Sequence, residues 1–131
     1  MKTYELEGLA LDWAVGMAQG NPLRTEKSDW MGGVYLTPVI PTYDKEGDLA
    51  WFGSPSTMWS HGGPIIEREK MRVWFEKECP WYAFPAVPAW GASREDGSYR
   101  EGGPTPLIAA MRCFVTSKLG EEIDIPEELL S

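Results

Sequence analysis

The chain has 131 residues, 43% of them hydrophobic and 12% aromatic, enough for one domain with its own core and incompatible with disorder throughout. Twelve basic residues against twenty acidic ones leave a net charge of −8, which repels phosphate backbones and disfavours nucleic acid as a partner. Seven Trp are many for so short a chain, and side chains of that bulk serve cores, interfaces or pockets for flat ligands.

In chain order, a first helix is expected over residues 5–19, with Thr3 as its N-cap and Gly20 as its stop. Leu6, Leu9, Trp13 and Met17 recur at spacings of three and four, with Ala10 and Ala14 beside them, and form a core-facing stripe. Gly8, Asp12, Val15, Gly16 and Gln19 fall on the other side. Two glycines there each cost about 1 kcal/mol of helix propensity, which signals close approach by another segment and makes Asp12 a residue of interest. Residues 33–37 read as a strand, limited beyond by Pro38 and Pro41. Residues 64–69 and 71–75 read as two strands or one long bent strand. Residues 81–84 read as an edge strand or extended loop among Pro80, Pro85 and Pro88. Asp96-Gly97 is a turn joining short strands near Trp90 and Tyr99.

A second helix begins at Thr105 (N-cap) and Pro106 (first helical position) and ends before Gly120, with Lys118 favouring the negative end of the dipole. Leu107, Met111, Phe114, Val115 and Leu119 form its buried stripe, and Ala109 and Ala110 allow tight packing. Arg112 on this apolar segment either reaches into a pocket as an anion-binding fork or snorkels to water. Residues 122–126 alternate as a last strand, and Pro126 opens a helical turn over 127–130. The expected fold is α+β: a single compact domain with two main helices packed on a small, mostly antiparallel sheet and long Pro/Gly-rich loops.

The segment most suited to a site is Trp59-Ser60-His61-Gly62-Gly63-Pro64-Ile65-Ile66-Glu67. Gly permits φ > 0 and Pro fixes φ, so Gly62-Gly63-Pro64 is expected to be a bend of defined shape, building a small-molecule site or merely turning a corner. It is no phosphate loop, lacking the Gly-Lys-Ser/Thr ending. Glu67 and Glu69 would share one face of a strand, as a metal or acid/base pair or as an ordinary solvated face. His61 is the sole imidazole, Cys79 and Cys113 lie in no nucleophile context, and no zinc-type ligand set exists, so no catalytic residue, metal or cofactor is assigned. Cys113, in an apolar helical run, reads as a buried reduced thiol and Cys79 lies in a loop before Pro80, although spacing leaves a bridge between them conceivable. Gly102-Gly103-Pro104 leads into Thr105, where the cap reading outweighs an anion site because Pro104 and Pro106 lack N–H donors. Gly-Gly recurs at 32–33, 62–63 and 102–103, but the flanks do not repeat. Without a signal-peptide run or the about 20 apolar residues of a membrane span, a cytoplasmic protein with no membrane partner is expected.

The motifs Ala10-Leu11-Asp12-Trp13-Ala14-Val15, Trp59 to Glu67, Gly103-Pro104-Thr105-Pro106-Leu107 through Cys113, Ser117-Lys118-Leu119-Gly120 and Ile123-Asp124-Ile125-Pro126 together resemble the NinX-like family. These are small proteins of tailed bacteriophages and prophages of Gram-negative bacteria. The resemblance covers nearly the whole chain, although residues 20–53 and 78–88 carry no signature of it. It implies an accessory protein acting in the bacterial host and supplies no reaction to carry over. The matched motifs hold the candidate ligand-binding residues Asp12, Trp13, Trp59, His61, Gly62, Gly63, Glu67, Thr105 and Arg112. These either converge on one pocket walled by Trp13 or Trp59 or mark the packing of the fold. The expected function is non-enzymatic binding of a small molecule or host protein. One version is sequestration of a nucleotide, with Trp59 stacking, Arg112 meeting its charge and Asp12 or Glu67 accepting hydrogen bonds. The alternatives are an assembly component acting through a homo-oligomer interface and a metal-dependent enzyme using Glu67, Glu69 and His61.

Overall fold

A computed structural model describes residues 1–28, 33–39, 54–79, 82 and 86–130. Its centre is the helix α3, Pro106–Leu119, which starts where Thr105 Oγ1 accepts the Ile108 N–H at 3.1 Å. Leu107, Ala109, Ala110, Met111, Cys113, Phe114 and Val115 are all buried, so α3 is covered nearly all round. Its last residues, including the expected stripe member Leu119, are exposed, and Pro106 and Ile108 at its start are half-buried. A three-stranded antiparallel sheet in the order β3 (Arg72–Glu76), β4 (Ala89–Ser93), β5 (Glu101–Gly103) packs on α3. Val73 pairs with Ala92 and Ala92 with Glu101, placing these three on the face toward α3, where the Thr116 hydroxyl donates to Glu101 Oε1 at 3.0 Å. The β4–β5 connection turns at Asp96-Gly97 as expected, with the Arg94 N–H donating to the Ser98 carbonyl.

The helix α1, Gly8–Ala18, packs against α3 but starts later than expected. Thr3 is not its N-cap. It lies in a separate 3-10 turn, Thr3–Glu5, buried, with its hydroxyl donating to the Gly120 carbonyl at 2.8 Å. Gly20 does stop the helix: its N–H donates to the Met17 carbonyl and that of Asn21 to the Gly16 carbonyl. The buried face also differs. Leu11, Asp12, Val15 and Gly16 are inside with Ala10 and Ala14, whereas Leu9 and Met17 are exposed. α1 is enclosed on two sides, by α3 and by the antiparallel hairpin β1 (Leu23–Ser28) and β2 (Gly33–Pro38), so the thin face is filled rather than solvated. The close approach signalled by its glycines occurs at Gly16, where a Cβ would come within 2.5 Å of Leu23 Cδ1.

The largest correction concerns residues 59–69, which form the helix α2, Trp59–Glu69, rather than a bend and a strand. Gly62, Ile65, Ile66 and Glu69 recur at three and four residues and turn inward together, a helical period that overrides the strand preference of adjacent isoleucines. Pro64 sits inside the helix on its exposed side and removes the N–H that would bond the Ser60 carbonyl, which belongs to an exposed residue. Glu67 and Glu69 therefore do not share a face. Of the expected pair 64–69 and 71–75, only the second is a strand, β3.

Residues 122–126 form no strand. A single antiparallel bridge links Lys2 to Glu122, because the N-terminal partner enters its 3-10 turn at Thr3 and Pro126 has no N–H to extend a ladder. A 3-10 turn, Glu127–Leu129, follows where a helical turn was expected. Most of the segment 81–84, and much of the Pro/Gly-rich region expected to form long loops, lies outside the described residues. The fold is α+β, with three helices and two small antiparallel sheets. Among the described residues no helix is long and apolar enough to cross a membrane.

Gly62 is the tightest joint in this arrangement, since a Cβ there would meet the Pro55 carbonyl oxygen and lie 2.7 Å from Leu107 Cδ2. Gly62→Ala should destabilise the protein by about 1–3 kcal/mol, because a backbone atom cannot yield as a side chain does. Gly63→Ala, which meets nothing within 4 Å, should be neutral or slightly stabilising in the same urea titration.

Candidate functional site

Ser54-Pro55-Ser56-Thr57 is rich in turn formers, and its conformation is set by side chains from two helices. The Ser54 N–H donates to His61 Nδ1 at 2.8 Å. The Thr57 and Met58 N–H groups return to the Ser54 carbonyl at 3.1 and 2.9 Å. From α1, Asp12 Oδ1 accepts the Ser56 N–H at 2.8 Å, and Ser56 Oγ reaches the Gly8 carbonyl at 3.5 Å. Gly62 lets Pro55 lie directly against α2. Asp12, His61 and Gly62 thus act on one turn, which passes straight into Trp59.

Asp12 is only 3% exposed. Burial pushes its carboxyl above the ordinary aspartate value, and the Ser56 hydrogen bond and the His61 charge offset part of that rise.

Ser56, Thr57 and Trp59 face Thr105, Pro106, Leu107 and Ile108 across a groove of about 370 Å³. Trp59 is 57% exposed at this groove. No ionisable side chain is among the lining residues, so the chemistry on offer is aromatic stacking, aliphatic contact and hydroxyl hydrogen bonding.

The structure therefore brings Asp12, Trp59, His61, Gly62 and Thr105 to one place, with Asp12, His61 and Gly62 behind the groove and Trp59 and Thr105 lining it. Four other candidates are elsewhere or contribute nothing visible. Trp13 packs half-buried on the core and donates its indole N–H to the Leu23 carbonyl at 3.1 Å. Gly63 meets no other group, and Glu67 projects to solvent from α2. Arg112 does not snorkel to water. It is 4% exposed, with Nε donating to the Leu6 carbonyl at 2.8 Å and Nη1 to the Gly102 carbonyl at 2.9 Å. The turn 54–57 and the pair Leu107–Ile108 were not singled out in the sequence, although the Ser-Pro-Ser-Thr run is a turn signal that could have drawn attention.

Among the described residues Glu67, Glu69 and His61 are not grouped as a metal site. Burial pushes the Glu69 carboxyl up, but hydrogen bonds from Arg68 and Arg94 (3.2 and 3.1 Å) and the nearby Lys118 outweigh it and hold the group below the usual range. Among the described residues no three His, Cys, Asp or Glu side chains are grouped as a metal ion requires. Cys79 and Cys113 are free and buried rather than bridged; burial raises the Cys79 thiol and pushes that of Cys113 up to about 12.

With fold and groove in place, comparison with known proteins assigns the class. The model of the family described as Bacteriophage P22, NinX matches residues 2–118. The chain belongs to this NinX family, which places it among bacteriophage accessory proteins. No curated protein sequence matches it.

Substitutions at two positions test the framework. Arg112→Met keeps the aliphatic stem but leaves two buried carbonyls unpartnered, so denaturant titration should show a loss of about 1–3 kcal/mol for each. Asp12→Ala leaves the Ser56 N–H without its acceptor and should cost about 1–3 kcal/mol at neutral pH, whereas Asp12→Asn retains an acceptor. Because the folded-state value of Asp12 is raised, its favourable contribution is complete below the ordinary aspartate value and is lost as pH climbs through the shifted one. The stability of Asp12→Asn relative to wild type should accordingly grow between acid and neutral pH. A pH-independent difference would contradict that direction.

Proposed function

We propose that this phage accessory protein is a non-enzymatic binding protein that holds a small, flat, uncharged molecule in the groove between residues 56–59 and 105–108. The observation that carries this reading is Trp59, exposed at a groove whose opposite wall is fixed by the capped start of α3. A flat ring stacks on the indole, Leu107 and Ile108 cover its apolar part, and the hydroxyls of Thr57 and Thr105 lie at its polar edge. Asp12 and His61 act as positioning residues, holding the turn that places Trp59.

An uncharged ligand is favoured over an intact nucleotide. Arg112, the cation expected to meet a phosphate, is committed to two backbone carbonyls, and the groove lining supplies no other. The same lining offers neither a base nor a nucleophile of lowered pKa, so binding rather than turnover is the function it supports. Such a protein would act in the cytoplasm of the infected bacterium by removing a small molecule from use.

Native mass spectrometry of the protein mixed with the low-molecular-mass fraction of a host lysate tests this. Wild type should gain a discrete mass that Trp59→Ala does not, while the variant, altered only at an exposed side chain, keeps its stability within about 0.5 kcal/mol. A wild-type spectrum with no added mass, or equal ligand retention by Trp59→Ala, would overturn the proposal.

A further inference from the structure

A second and larger groove, about 620 Å³, lies where both ends of the chain meet α1, and it shares no lining residue with the Trp59 groove. Its apolar lining comes from Leu9 and Ala10 of α1, Val34 of β2, and Leu129 and Leu130 at the C-terminal 3-10 turn. Leu9 is 42% and Leu130 54% exposed. Leu9 belongs to the stripe that the α1 periodicity directs at a core, yet unlike Leu6 it stands exposed at this groove.

The remaining side of the groove is acidic. Glu5, Glu7 and Glu128 line it, and among the described residues none of the three carboxylates takes part in a hydrogen bond or ion pair. The nearby cations are already used: the N-terminal ammonium donates to the Ile123 carbonyl at 3.0 Å, and Lys2 is tied to Glu122 at 2.6 Å. Apolar side chains beside three unpaired carboxylates, on a chain of net charge −8, complement an apolar surface that carries positive charge.

We infer that this groove docks a short cationic amphipathic segment of a partner protein. Its apolar side chains lie on Leu9, Val34, Leu129 and Leu130, and its Lys or Arg side chains meet Glu5, Glu7 and Glu128. The same charge pattern turns away nucleic acid and anionic lipid. It also opposes a symmetric dimer through this face, which would set carboxylates against their own copies.

Fluorescence anisotropy with a labelled amphipathic Lys/Leu helical peptide tests the inference, beside a Glu/Leu peptide of the same apolar pattern. The Lys/Leu peptide should bind saturably with one site per chain and weaken with added salt, and the Glu/Leu peptide should not bind. Glu5→Gln combined with Glu7→Gln, and separately Leu9→Ser or Leu130→Ser, should each weaken binding about tenfold or more. Glu67→Gln with Glu95→Gln removes equal charge away from the groove and should leave binding unchanged, as should Trp59→Ala. Absence of saturable binding, equal weakening by the distant charge pair, or loss with Trp59→Ala in place of Leu9→Ser would each overturn the inference. Leu130→Ser lies beyond the last 3-10 turn and cannot unfold the core, so a failed Leu9→Ser fold leaves the test intact.

Discussion

The arrangement depends most on one buried guanidinium. Arg112 projects from the middle of α3 and joins the Leu6 carbonyl, 106 residues away, to the Gly102 carbonyl of β5. Among the described residues β5 pairs only with β4, so the guanidinium does for Gly102 what a further strand would otherwise do. Arg suits this task because its donors form a rigid fork and its charge is delocalised and weakly hydrated, which lowers the cost of burying it. Among the described residues no carboxylate forms an ion pair with it. Glu101, half-buried and hydrogen-bonded to Thr116, supplies a compensating charge, and burial raises its own carboxyl while Arg112 opposes the rise.

That clamp positions the site at one remove. Holding Leu6 fixes the entry to α1, and the bonds from Thr3 to Gly120 and between Met1 and Ile123 close both chain ends around α3. With α1 so placed, Asp12 faces the turn 54–57 from one side while His61 and Gly62 hold it from the other. The groove beside Trp59 thus depends on all three helices, with α1 and α2 holding the turn 54–57 through hydrogen bonds to its backbone and α3 supplying the opposite wall.

Legibility in the sequence followed the range of the interactions involved. α3 was readable because Thr105, Pro106 and Gly120 act on their immediate neighbours. The Asp96-Gly97 turn was readable for the same reason. α2 was not: Gly62-Gly63-Pro64 looks like a bend, and only the approach of Pro55 and Leu107, brought from elsewhere in the chain, explains why a glycine stands inside a helix. The polar strand β1 lacks apolar alternation and owes its existence to pairing with β2. Among the site residues, Asp12 was noticed through the glycines beside it. Arg112 was noticed, but its carbonyl partners lay beyond the reach of local pattern, since a guanidinium in an apolar helix looks alike whatever it meets.

The tryptophans sharpen the distinction between packing and function. Trp13 and Trp74 spend their indole N–H groups on the Leu23 carbonyl and Glu76, and Arg100 lies over the Trp74 ring. Trp90 packs on the core and meets Phe75 edge to face at 5.3 Å. Each of these rings is explained by what it touches inside the protein. Trp59 opens α2 with most of its surface in water, and the helix would form equally well with a smaller residue there. Its retention in a groove otherwise lined by short and aliphatic side chains is therefore an argument about an external partner.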